Sequence, residues 1–236
     1  MACDIAASAG RGEQRLQEIR RVLRSALLEA IAVAGLDSQD FAYVDTGDGC
    51  QLVAPAGLPK PRLLVPVLLG LSRRIRTHNR KAGPDTRLRV RAAVHAGEIR
   101  LDPLGTVSGV PFEALARLLE SAPLRQATLA APNGAPVAAI LSPHFHEETV
   151  GHGYSGLDAD AFTPADVRVK EYAARAWLWY PGSPVGPRVD PPPEAGADEH
   201  SVGPGPRAVE QLIQAGGRGT VFAVGRGNQY VHNDRS

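Results

Sequence analysis

The sequence predicts an α+β fold of the ferredoxin-like kind: a βαββαβ core, antiparallel sheet with helices packed on it, extended by a linker and a short C-terminal tail. Three observations carry this. Met1 to Ile5 is a short apolar strand that runs into a long amphipathic segment. Residues 41–55, FAYVDTGDGCQLVAP, read as two strands around an Asp-Gly turn, a strong hairpin signal. A second amphipathic segment then leads to RLRVRAAVHAGEI, which alternates as a central strand should. The order strand, helix, hairpin, helix, strand is the split β-α-β pattern.

Each element has its own signal. Over Arg11 to Gly35, Leu16, Ile19, Val22, Leu23, Ala26, Leu27, Ala30 and Ile31 recur at spacings of three and four, and Gly35 supplies a stop. Phe41, Tyr43 and Val44 form one arm of the hairpin and Cys50 to Val53 the other, joined by the acidic turn Asp45 to Gly49. Pro61 opens a second helix that runs to about Asn79, with Leu64, Leu68, Leu71 and Ile75 on one face. Its basic end, Arg73 to Lys81, suits the negative end of a helix dipole. Leu88 to Ile99 is the central strand. Helices are expected over Val110–Glu120 and Leu124–Ala130, a buried strand over Val137–Leu141 and a short helix over Pro143–Val150. Val167–Tyr172 and Ala174–Trp179 close the sheet as a hairpin. The domain expectation is therefore 1–180 globular, 181–206 a Pro/Gly-rich linker that cannot bury a core, and 207–236 a tail.

Composition narrows the partners. A net charge of +1 over 236 residues gives no bulk drive toward nucleic acid or a membrane surface. No apolar run is long enough to span a bilayer and no signal peptide precedes the first helix, so a cytoplasmic location is expected. Cys3 and Cys50 are then expected to be reduced. The predicted sheet makes them neighbours, close enough to join under oxidising conditions.

Fold logic also brings two aspartates together. In the ferredoxin-like order the first strand lies between the third and the fourth and runs antiparallel to the third. Asp4, at the C-terminal end of strand one, then sits beside Asp48, at the start of strand three. Two carboxylates on one sheet edge, with little else basic nearby, suit a hard divalent cation such as Mg2+ or Mn2+. The competing reading of Asp48 is a solvated turn residue.

With CDI at 3–5, TGDG at 46–49, RAAVHAGEI at 91–99, GVPFEALARLL at 109–119, HGYSGLD at 152–158 and VRVKEYAARAW at 167–177, the chain resembles a class III nucleotidyl cyclase catalytic domain. It is most similar to the compact stand-alone actinobacterial kind, and the resemblance covers residues 1–179. It implies a βαββαβ core that pairs head to tail as a homodimer, with composite sites between subunits. There two metal ions help the 3′-hydroxyl of a nucleoside triphosphate attack its own α-phosphate. By that resemblance Asp4 and Asp48 are the metal ligands, with the Ile5 backbone carbonyl beside them, and Arg117 stabilises charge on the α-phosphate.

The departures from the family pattern concern the substrate. Glu113 stands where the family has a ribose-orienting asparagine, and a carboxylate near polyphosphate repels it. Val44 replaces the base-reading lysine, and its partner position is Thr106. The phosphate-binding lysine falls at Tyr172, two residues beyond Lys170, and the glycine of the first loop is Ala7. Metal binding reads as kept and substrate orientation as eroded. Three functions follow: a degenerate nucleotide-binding sensor module, an active adenylyl or guanylyl cyclase, or a signalling adaptor acting through its tail.

Other candidates are weaker. His95 reads as a packed core histidine. His144, His146 and His152 lack the helical spacing or cysteine partner of a zinc site. In the tail, Val221, Phe222, Val224, Gly225, Asn228, Gln229 and Tyr230 resemble, in part, the hydrophobic-Gly-x-x-Asn core of RIP homotypic interaction motifs and related bacterial amyloid signalling motifs. Ala223 replaces the usual glutamine. That resemblance implies in-register stacking with a partner carrying a matching segment. A disordered C-terminus, or a late strand on the sheet edge, accounts for the same residues equally well.

Overall fold

In a computed structural model the described residues are 1–8, 10–101 and 107–188. Thr106 and all seven tail positions named above lie outside them. The first strand, β1 (Ala2–Ile5), leads to α1 (Glu13–Val33), then to the hairpin β2 (Ala42–Asp45) and β3 (Gly49–Val53). Next come α2 (Leu69–Lys81), β4 (Val90–Val94) and a two-stranded ribbon, β5 (Arg100–Leu101) with β6 (Val107–Ser108). The chain continues through α3 (Val110–Leu119), α4 (Ala122–Ala130), β7 (Val137–Leu141) and α5 (Pro143–His146). The hairpin β8 (Thr163–Val169) and β9 (Tyr172–Trp179) ends the described elements.

Seven strands form one sheet in the order β2-β3-β1-β4-β7-β9-β8. The strand order places β1 between β3 and β4, antiparallel to both, as the βαββαβ reading requires. Among the described residues only β4 and β7 pair in parallel. Alternation along the strands builds two cores. Cys3, Ile5, Val90, Ala92 and Val94 face α1 and α2, meeting Ile19, Leu23, Leu27, Leu71 and Ile75. Ala2, Ala93, Ala138, Ile140 and Leu178 face the other way, against Leu115 and Leu118 of α3 and Leu124 of α4. β7 is buried on both faces, so it reads VAAIL without alternation.

Three expectations about elements need correction. The second helix is not one uninterrupted α-helix from Pro61. Leu63–Leu68 forms wide π-type turns around Pro66, which has no N–H to donate, and α-geometry holds only from Leu69. The central strand is shorter than Leu88–Ile99, because the chain leaves the sheet at His95. The closing hairpin turns at Lys170–Glu171, since Val169 pairs with Tyr172. Lys170 therefore lies at a turn tip with φ +54, not within a strand.

Gly49 explains why the β1–β3 pairing tolerates no side chain at that point. A Cβ there would lie 2.1 Å from the Cys3 carbonyl oxygen. The chain beyond β9 stays on the domain: Ser72 Oγ donates to the Pro181 carbonyl (2.7 Å) and Thr163 Oγ1 to that of Pro187 (2.6 Å).

Candidate functional site

Asp4 lies one residue from the end of β1, directly opposite Gly49 on β3 and Arg91 on β4. Asp48 is the last turn residue before β3. The Ile5 N–H donates to the Asp48 carbonyl (3.0 Å), which ties the turn to the end of β1. Ser8 Oγ donates to Asp48 Oδ2 at 2.8 Å. The pairing thus brings the two predicted aspartates and Ile5 together at one sheet end.

Asp4 is 9% exposed. Burial pushes its carboxyl above the ordinary value of 3.8, the Asp48 carboxylate adds to that rise, and the Arg91 guanidinium opposes it. Arg91 is the residue that the sequence reading missed. It forms an ion pair and hydrogen bond with Asp4, so the expectation of little basic charge nearby is wrong. The cause is register: residues opposite one another in adjacent strands share a face, and Asp4 opposes Arg91. The alternation of Arg89 and Arg91 was visible, but only the pairing shows which carboxylate Arg91 meets.

The oxygen set fits a hard cation. It comprises two close carboxylates, one of them desolvated, with the Ser8 hydroxyl on Asp48. Among the described residues no third His, Cys, Asp or Glu completes a cluster. Mg2+ sites of one or two carboxylates, finished by water and substrate phosphates, need no third. Arg91 holds the charge position at Asp4 that such an ion would take.

The other predicted positions lie apart from this pair. Arg117, in the last turn of α3, donates to Glu171 in the β8–β9 turn (3.1 Å) and lies 4.0 Å from Glu120. Its ion-pair partners within the chain are therefore neither Asp4 nor Asp48. Glu113 is exposed in the first turn of the same helix. Val44 is on the edge strand β2 opposite Gln51, with 39% exposure. Tyr172 opens β9 and packs on the second core, and burial raises its hydroxyl pKa. Ala7 adopts φ +53, a left-handed conformation that glycine takes at little cost.

His95 is not a packed core residue. It is half-buried, its Nδ1 lies 2.8 Å from Ser142 Oγ, and it lines an apolar cavity of about 490 Å³. The three other histidines named from the sequence are separately engaged. His144 faces Glu148 at 3.5 Å, His146 stacks on Trp177 with ring centroids 4.2 Å apart, and His152 stacks on Tyr154. Cys3 and Cys50 are opposed in register, buried and free. The hydrogen bond between the thiols, with burial, holds Cys3 well above the usual thiol range.

No protein-family model and no curated protein matches the chain. Solved structures do. The guanylyl cyclase Cya2 aligns over 75% of this chain and 87% of its own, at 12% identity and a TM-score of 0.50. The fold is that of a cyclase domain. An adenylate/guanylate cyclase/hydrolase from Silicibacter pomeroyi aligns over 77% of this chain and 95% of its own, at 20% identity and a TM-score of 0.49. The guanylate cyclase domain of RhGC from Catenaria anguillulae, solved in complex with GTP, aligns at 13% identity and a TM-score of 0.40. At such identities the likeness is one of fold.

Proposed function

We propose that this domain binds a nucleoside triphosphate with a divalent cation at Asp4 and Asp48, cyclises it weakly or not at all, and serves as a signalling or sensor module. The observation that carries the reading is the juxtaposition of Asp4, Asp48 and Arg91 at one end of a cyclase-type sheet. Asp4, Asp48 and the Ile5 carbonyl would hold Mg2+ or Mn2+. Such an ion, when bound, neutralises triphosphate charge and lowers the pKa of an attacking hydroxyl. The chain's own contribution is placement. Ser8 orients the Asp48 carboxylate, and β1–β3 pairing fixes the spacing of the two acids. Arg91, once its charge is no longer needed at Asp4, is a planar donor set suited to phosphate oxygens.

Weak turnover rests on the substrate positions. Glu113 and Tyr172 replace substrate-orienting groups, and losing one well-placed transition-state donor costs about 100- to 1,000-fold in rate. Arg117 would act on the partner subunit's nucleotide, which requires it to release Glu171.

Calorimetry with a slowly hydrolysed ATP or GTP analogue, with and without Mg2+, tests the reading. Wild type is expected to bind only with the cation, and the Asp4→Ala/Asp48→Ala variant not at all. Equal binding by both would overturn the proposal. Robust formation of cyclic nucleotide from ATP or GTP with Mn2+ would replace the degenerate reading with that of an active cyclase.

A further inference from the structure

A second cleft lies between the C-terminal end of α2, the segment entering β4, and the Pro132–Pro136 loop between α4 and β7. Its volume is about 530 Å³, and it shares no residue with the aspartate pair. Arg76, Arg80, Arg87 and Arg89 line it, and no Asp or Glu does among the described residues. On a chain of net charge +1 this is a strong local concentration of positive charge.

The spacing puts these arginines together for a physical reason. Arg76 and Arg80 are four apart on α2 and so share a face, where like charges disfavour the helix. Arg87 and Arg89 are two apart on an extended segment and share a side. Asn79, within α2, clamps the two elements: its Nδ2 donates to the Leu88 carbonyl (2.7 Å) and its Oδ1 accepts from the Leu88 N–H (2.9 Å). That clamp holds the second arginine pair against the first.

Helix capping accounts for part of this charge. Arg89 Nη1 donates to the Thr128 and Leu129 carbonyls at the end of α4, and Arg87 Nε donates to the Ala82 carbonyl after α2. Two helix C-termini offset about half a charge each. Four guanidinium groups therefore leave an excess of about three positive charges. Asp85, on the segment between α2 and Arg87, is taken by Arg15 at 3.2 Å. Arg76 donates Nη2 to the Gly182 carbonyl (3.1 Å), yet its buried Nε has no partner among the described residues. Arg80 is exposed and forms no ion pair among them.

We infer that this cleft is a binding site for a soluble polyphosphate chain, separate from the aspartate site and independent of divalent cation. Guanidinium groups match phosphate oxygens through paired N–H donors. The cleft is a half-open recess between two elements and a loop, and none of its described lining residues is aromatic, so they offer no platform on which nucleic-acid bases would stack. The phosphates are recognised and an attached nucleoside adds nothing.

Titration calorimetry of the full chain with sodium tripolyphosphate, in EDTA at low salt, tests this. One site per chain is expected, while adenosine should not bind. Arg80→Gln/Arg87→Gln should weaken binding by about tenfold per lost charge-assisted hydrogen bond. Asp4→Ala/Asp48→Ala should leave it unchanged, which separates this site from the nucleotide proposal. Arg73→Gln, on α2 but outside the cleft, is the charge control and should also leave it unchanged. Thermal unfolding without ligand checks that each variant folds, and Arg80→Gln alone removes an exposed side chain, so folding is not at stake. Wild-type affinity in Arg80→Gln/Arg87→Gln, an equal loss in Arg73→Gln, or tighter binding of a single-stranded 20-nucleotide RNA would each overturn the inference.

Discussion

At the residue scale, Asp4 is buried at the end of β1 and is neutralised by Arg91 across the β1–β4 pairing. Asp4 and Asp48 could be paired from strand order alone, because a ferredoxin-like sheet fixes which strand ends meet. Arg91 needed the register, since a shift of one residue would turn its side chain to the α1/α2 face. Ala7 shows the opposite case. The family pattern has glycine there, and the backbone does adopt a glycine-like conformation, φ +53. A left-handed alanine costs about 1–2 kcal/mol, and glycine returns about 0.4–1 kcal/mol of that by enlarging unfolded-chain entropy. Ala7→Gly is therefore expected to stabilise the domain by roughly 0.5–1 kcal/mol. Urea unfolding with an unchanged m-value measures it, and a destabilised variant would show that the Ala7 methyl makes contacts worth more than the strain.

At the element scale, periodicity located the long helices and the hairpins, and local backbone chemistry set their limits. Pro66 opens the helix into π-type turns without stopping it, because Leu63, Leu64, Val67 and Leu68 bury their side chains against the first core regardless of backbone pitch. The sequence pattern puts the β8–β9 turn too late because Lys170 is a poor signal for positive φ. The end of β9 matters to the second layer. Tyr180, 3% exposed, donates its hydroxyl to the Ala127 carbonyl of α4, and burial raises its pKa. This bond fixes α4 over the sheet beside β7. Tyr180→Phe keeps the ring and removes the donor, so a loss of about 1 kcal/mol is expected in chemical unfolding. No loss would mean that apolar packing of the ring alone holds the helix.

At the scale of the whole molecule, the residues of the proposed nucleotide site stand apart within one chain. Asp4 and Asp48 stand at one sheet end, while Arg117 points within its own chain to Glu171. Under the proposed function a second copy would supply the arginine: the cyclase resemblance implies a two-fold dimer that would offer each subunit's α3 to the other's aspartates. The surface near α3 suits an interface: Val110 at its start is 76% exposed and Ile99, which precedes the β5–β6 ribbon, is 38% exposed. Single apolar residues on a surface are ordinary, and what distinguishes these is their position beside the helix that carries Arg117. The expected outcome is a homodimer that tightens with nucleotide and Mg2+, because the ligand would bridge both subunits and its binding energy would add to association. Sedimentation equilibrium at increasing protein concentration measures this directly. Val110→Glu places a charge in the proposed contact and should shift the mass toward the monomer, without changing thermal stability at low concentration. A strictly monomeric mass at high micromolar concentration, with nucleotide and Mg2+ present, would remove the composite site and leave Arg117 as a tie between α3 and the closing hairpin.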